Sequence, residues 1–201
     1  MQKIEAEQLL KKRRASLEQA GLPPLRKGLK FDEHQREAMR RIWEMATAKD
    51  SDFGAICFLT GDRGVGKTEM MSRFIEYFVM QGEGYGAYRK LADLLNLRIL
   101  YSDKGFTDRQ WREAERERDR FANRYHLLVI DEIHENQKNV YAADILTDVI
   151  DRRYRNGRHT VLISNLAPES LRENLNPSII DRARQFGGII STIGWRNYRK
   201  S

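Results

Sequence analysis

The sequence predicts an α/β protein built on a mainly parallel, five-stranded sheet between helices, and three observations carry that prediction. Short apolar runs alternate with segments whose apolar residues recur at helical spacing, the pattern of strands joined by crossover helices. Two of the runs, Leu127-Leu128-Val129-Ile130 and Thr160-Val161-Leu162-Ile163, are continuous, as in strands covered on both faces. A third, Ala55-Ile56-Cys57-Phe58-Leu59-Thr60, leads into Gly61-Asp62-Arg63-Gly64-Val65-Gly66-Lys67-Thr68, which fits the phosphate-binding pattern G-x-x-x-x-G-K-[ST].

Taken in order, residues 1 to 19 hold good helix formers, the basic cluster Lys11-Lys12-Arg13-Arg14 and a thin apolar stripe of Leu9, Leu10 and Leu17. Such a helix is marginal alone. Gly21-Leu22-Pro23-Pro24 stops it, so residues 1–30 read as a basic helix and linker, either a solvated tail or a partner-binding arm, ahead of a main domain at 31–201. Asp32 and Gln35 have capping-box spacing before the apolar positions Ala38, Met39, Ile42, Trp43 and Ala46. After the glycine-rich loop, Met70, Met71, Phe74, Ile75, Phe78 and Val79 form the buried face of a helix from Lys67 to Met80, ended by Gly82.

Gly84 to Tyr88 reads as a short strand, and Leu91, Leu94, Leu95 and Leu97 as a helix behind it. Residues 107 to 124 are nearly all charge, which predicts an exposed helix with little burial. Leu127 to Ile130 then delivers Asp131-Glu132, and a helix on Ala142, Ile145, Leu146, Val149 and Ile150 ends before Gly157. Thr160 to Ile163 delivers Ser164-Asn165; a short helical piece at 168–175 and the segment 178–184 precede a last strand from Gly188 to Ile193.

Composition narrows the classes. Lys plus Arg number 36 against 29 Asp plus Glu, a net charge of +7 that favours an anionic partner such as nucleic acid. The single cysteine, Cys57, forms no internal disulfide and sits in an apolar run. Four scattered histidines offer no metal-ligand cluster, and no segment approaches the length of a membrane span. The expectation is a cytoplasmic protein without membrane attachment.

The chemistry follows from residue types. Glycines in the loop let successive backbone N–H groups turn inward around a phosphate, and the helix that starts at the loop adds its positive dipole end. Residues Gly61 to Thr68 are thus the expected nucleotide contacts, with Lys67 on the β- and γ-phosphates and the Thr68 hydroxyl on Mg²⁺. Ligands of open α/β sheets sit at the carboxyl ends of the strands, which brings Asp131 and Glu132 beside the loop. Asp131 is the expected second holder of Mg²⁺, and Glu132 the group that orients or deprotonates the attacking water. Asn165, ending the next strand, is placed to hydrogen-bond that water or the γ-phosphate. Arg182 and Arg184 are open between surface ion pairs and an arginine supplied across a subunit interface.

In this order, the loop Gly61–Thr68, the run Leu127–Glu132, the strand end Ser164-Asn165 and Asp181-Arg182-Ala183-Arg184 resemble Walker A, Walker B, sensor 1 and the arginine finger of an AAA+ ATPase. The chain looks most like the helicase loaders of the DnaC/DnaI type, a branch close to DnaA and IstB. Asp151-Arg152-Arg153, Ile180 to Arg184 and the ending Gly194-Trp195-Arg196-Asn197-Tyr198-Arg199 support that choice, and the resemblance spans about residues 31 to 199. It implies ATP and Mg²⁺ as cofactors, slow or partner-stimulated hydrolysis, and Arg182 as a finger acting in trans within an assembly. It also implies an AAA+ core without a C-terminal lid, since few residues follow Ile193. The partners it implies are a DnaB-type replicative helicase and single-stranded DNA, in the cytoplasm of a bacterial or phage-infected cell. The inserted element that contacts DNA in that clade corresponds to residues 91 to 124, so Arg109, Arg112, Arg116 and Arg120 are candidate phosphate contacts or a solvated face. An IstB-like transposition helper, binding duplex DNA and a transposase, is the alternative. Asp131-Glu132-Ile133-His134 mimics the DEAH box of helicases, but such enzymes need a second motor domain that 201 residues cannot hold.

Overall fold

Side-chain alternation along the strand β1 (Ile56–Thr60) generates the layers: Ile56 and Phe58 enter one core, Cys57 and Leu59 the other, and all five residues of the strand are buried. The same division runs through β3 (Leu127–Asp131) and β4 (His159–Ser164), where Leu128, Ile130 and Leu162 share a core with Phe58 while Val129, Val161 and Ile163 share the opposite one with Leu59. These relations come from a computed structural model that describes residues 2–28, 30–48, 52–94, 107–134 and 140–198. β2 (Gly86–Lys90) and β5 (Gly188–Ser191) complete a five-stranded sheet in the order β2-β3-β4-β1-β5, with every neighbouring pair parallel. The predicted α/β architecture with a parallel sheet is therefore observed.

On one face lie α1 (Gln2–Glu18), α2 (Glu33–Thr47) and α3 (Lys67–Gln81), whose Ile42, Met70, Met71, Phe74 and Phe78 are at most 1% exposed. Asp32 caps α2 with the predicted capping box, an arrangement that contributes about 1 kcal/mol. The first helix is not left to its own propensity. Arg13 donates to the carbonyl of Met80 near the end of α3, and Arg89 of β2 donates to the carbonyl of Ala20 at 2.7 Å, so the C-terminal half of the helix region is tied to α3 and to the sheet.

The opposite face carries α4 (Asp108–Asp119), α5 (Val140–Arg155), α6 (Pro168–Asn174) and α7 (Pro177–Phe186). Two expectations change here. The charged helix was predicted to run exposed to Arg124, but residues Arg120–Arg124 form a π-helix that turns Phe121 and Ala122 inward, 5% and 0% exposed. Arg153, fully buried, holds that turn by donating to the carbonyls of Phe121 at 2.6 Å, Tyr125 at 3.0 Å and His159 at 2.6 Å and to Thr160 Oγ1 at 2.9 Å. Burial pulls its pKa down to about 9, which leaves it charged at neutral pH. The last strand also stops short of its predicted end. Ile193 lies beyond β5 and is 83% exposed. The helix predicted on Leu91, Leu94, Leu95 and Leu97 is described only through Leu94, and the last two residues lie outside the described set.

Candidate nucleotide site

The carboxyl end of β1 opens into the loop because Gly61 can hold φ 129°, and a Cβ there would lie 2.3 Å from Thr192 Oγ1. The loop closes at Gly66, in the left-handed region at φ 86°, which is the N-cap of α3. Loop residues and the start of a fifteen-residue helix thus border one cleft of about 340 Å³. Arg63, Gly64, Gly66, Lys67 and Thr68 line the cleft from the loop, and Asp131, Glu132 and Asn165 line it from β3 and β4.

Lys67 is only 5% exposed, and its Nζ donates to the carbonyls of Gly61 and Asp62, each at 2.7 Å, and to Asn165 Oδ1 at 2.9 Å. Burial lowers its pKa to about 8, with Asp131 opposing, so the ammonium remains largely charged at pH 7. A buried cation satisfied by carbonyl and amide oxygens suits a strong anion as an incoming partner. Val65, in contrast, packs its side chain into the core at 3% exposure.

The Thr68 hydroxyl donates to Asp131 Oδ2 at 2.6 Å. A hydroxyl and a carboxylate beside a phosphate loop are hard oxygen donors that fit Mg²⁺, which takes few protein ligands and completes its shell with water and phosphate. No cluster of three or more His, Cys, Asp or Glu that could hold a metal ion occurs among the described residues. Glu132 follows with φ 60°, a conformation uncommon outside glycine, and Lys90 Nζ donates to its Oε1 at 2.9 Å. Asn165 meets His134, with its backbone N–H 3.3 Å from Nδ1 and its amide nitrogen 3.0 Å from Nε2.

Arg182 stands elsewhere. On α7 it ion-pairs with Asp151 and places its guanidinium 5.2 Å from the centre of the Tyr154 ring, away from the residues that line the cleft. Of the predicted site residues, the loop, Asp131, Glu132 and Asn165 are therefore brought together and Arg182 is not.

Several contributors escaped the sequence reading. Tyr88 donates its hydroxyl to Asp131 Oδ2 at 2.8 Å, and burial followed by the charge of Asp131 pushes the phenol well above its ordinary pKa, so it serves as a donor. Pro23, Pro24, Arg26 and Tyr198 also line the cleft. The C-terminal stretch is fastened to the loop: Tyr198 N donates to the Gly64 carbonyl at 3.0 Å and Asn197 Nδ2 to that of Arg63 at 3.1 Å. Gln35, buried beneath, donates to the Val65 carbonyl at 2.8 Å. The proline pair reads as a linker and the Trp-Arg-Asn-Tyr ending only as a mark of the family resemblance, and nothing local in that ending signals its contact with the loop more than a hundred positions away.

A glycine loop opening a helix, two acids at the end of a parallel strand one position removed in the sheet, and a five-stranded parallel sheet define a P-loop α/β protein. Known proteins narrow this. Replicative helicase loader DnaC of Buchnera aphidicola is 24% identical over 191 residues, covering 92% of this chain and 74% of that protein. DnaC of Escherichia coli K12 is 22% identical over 203 residues, covering 98% and 79%. A crystal structure of the DnaC helicase loader superposes with a TM-score of 0.62 at 15% identity, covering 87% of this chain and 97% of that one. AMPPCP-bound DnaA from Aquifex aeolicus gives a TM-score of 0.64 at 17% identity over 85% of this chain and 50% of that one. No protein-family profile matches the chain. The chain is thus similar in sequence to the DnaC helicase loaders and shares its fold with the AAA+ domains of DnaC and DnaA.

Proposed function

We propose that the chain is an ATP-dependent replicative helicase loader, which binds ATP and single-stranded DNA and delivers or remodels a DnaB-type helicase. The observation that carries the reading is the convergence of Lys67, Thr68, Asp131, Glu132 and Asn165 on one cleft, in a chain whose curated relatives are named replicative helicase loaders. The nucleotide-bound state of a DnaA neighbour supports nucleotide binding, and another neighbour is DnaA bound to AMPPCP and single-stranded DNA.

In this reading the loop amides and Lys67 bind the phosphates, the ammonium exchanging its carbonyl partners for phosphate oxygens. Thr68 and Asp131 would hold Mg²⁺, which would supply positive charge to offset that of the phosphates. Glu132 takes the proton of the attacking water, and for that it must leave Lys90. Asn165 orients the water or the γ-phosphate. Arg182 of a neighbouring copy stabilises charge on the transferring group, which requires release from Asp151. Two of the catalytic groups thus rest in ion pairs, and this favours slow hydrolysis stimulated by assembly or partner.

Single-stranded DNA is assigned to the arginines of α4. Arg109 pairs with Glu113 at 3.1 Å on its own helix, but its side chain is 88% exposed, and such surface pairs cost under about 1 kcal/mol to exchange for a phosphate. No helix among the described residues is long and apolar enough to cross a membrane, and we place the protein in the cytoplasm.

Capture of a purified DnaB-type helicase on the immobilised chain tests the loader. We expect capture that differs between a non-hydrolysable ATP analogue and ADP. Failure to retain helicase in either nucleotide, with retention of a transposase instead, would reassign the chain as a transposition helper.

A further inference from the structure

Asp131 is held from three directions. Its Oδ2 accepts from Thr68 Oγ1 at 2.6 Å and from the Tyr88 hydroxyl at 2.8 Å, while Oδ1 accepts from the Glu132 backbone N–H at 2.7 Å. Two of these donors are fixed by the motifs themselves, being the loop threonine and the residue next in the chain. Tyr88 comes from a different strand, β2, which pairs with β3 so that Tyr88 lies opposite Val129 and Lys90 opposite Asp131.

The Tyr88 ring belongs to the core shared with Val129 and is 5% exposed, so its packing needs only the ring. The hydroxyl adds one thing, a hydrogen bond to a carboxylate that is itself 5% exposed. A carboxylate free to turn about its Cβ–Cγ bond offers a metal a distribution of oxygen positions, and a donor that fixes one oxygen removes that freedom. Groups behind a metal-binding carboxylate act in this way, orienting the ligand without touching the ion.

We propose that Tyr88 is a positioning residue for the metal half of the site, holding Asp131 so that its carboxylate and the Thr68 hydroxyl form a fixed pair of oxygens for Mg²⁺. The inference rests on reading Thr68 and Asp131 as the Mg²⁺ holders. It separates two functions of one cleft: Tyr88 governs the metal-dependent part of nucleotide binding, while the loop and Lys67 govern the part that needs no metal.

The test uses the full chain and a fluorescent ATP analogue, titrated in EDTA and then against increasing Mg²⁺. Tyr88→Phe retains the ring, and it is expected to bind the analogue in EDTA within about two-fold of the native chain. The Mg²⁺ concentration for half-maximal stimulation should rise about 10-fold or more, the effect of losing an outer partner of a metal ligand. An unchanged Mg²⁺ requirement would overturn the proposal. Loss of binding in EDTA together with a lowered melting temperature would also overturn it, by making the hydroxyl a folding contact. Asp131→Asn separates the underlying reading: if it keeps the full Mg²⁺ response, Asp131 is not a metal holder, whatever Tyr88→Phe does.

Discussion

Glu132→Gln is expected to bind ATP like the native chain and to hydrolyse it roughly 10²–10⁴ times more slowly, the range a positioned general base contributes. Glutamine preserves the size of the side chain and the hydrogen-bonding oxygen that faces Lys90, but it cannot accept the proton of the attacking water. The backbone at this position, with φ 60°, is unaffected because neither residue differs there in its steric demands. Phosphate release under stimulated conditions and the fraction of intact ATP retained on the protein read the two effects separately. Turnover close to that of the native chain would move the base to another group.

The second large effect belongs to Arg182. Arg182→Ala should leave nucleotide affinity unchanged, since the residue does not line the cleft, while stimulated hydrolysis falls by about 10³–10⁵, the range attributed to an arginine finger. Its present partners make the substitution mild for folding. The Asp151 side chain is 28% exposed and can hydrate once the guanidinium is gone. Mixing Arg182→Ala with Glu132→Gln copies gives an internal check, because a finger supplied in trans restores turnover only where a native acid faces a native arginine. Full stimulated hydrolysis by Arg182→Ala alone would remove the finger assignment.

The parts of the site that were legible in the sequence are those whose chemistry is local. Gly61 to Thr68 is a contiguous motif, and the strand before it and helix after it are continuous apolar patterns. Asp131, Glu132 and Asn165 end apolar runs, and parallel strands send such ends to one edge. The contributions that escaped notice depend on which strands are neighbours. Tyr88 reaches Asp131 across 43 positions and Lys90 reaches Glu132 across 42, because β2 lies beside β3. Tyr198 meets Gln35 across 163 positions, which no local pattern announces.

The charged segment ending at Arg124 misled for a related reason. Its composition describes a solvated helix correctly through α4, but the final turn is shaped by Arg153, whose buried guanidinium takes up the carbonyls of Phe121 and Tyr125. The first helix shows the same dependence. Its thin apolar stripe predicts little, and its seat comes from Arg13 and Arg89, side chains that read as surface charge.

Titration of a fluorescent ATP analogue into the native chain and into Lys67→Ala probes the nucleotide site most directly. Lys67 is the one charged side chain of the loop held inside the cleft by loop carbonyls and Asn165, so its removal should weaken binding about 10- to 100-fold, the worth of a charge-assisted hydrogen bond. The expected result is saturable binding to the native chain that Lys67→Ala loses to that extent. Binding to Lys67→Ala at native affinity would contradict the assignment of Gly61–Thr68 as the site through which ATP acts.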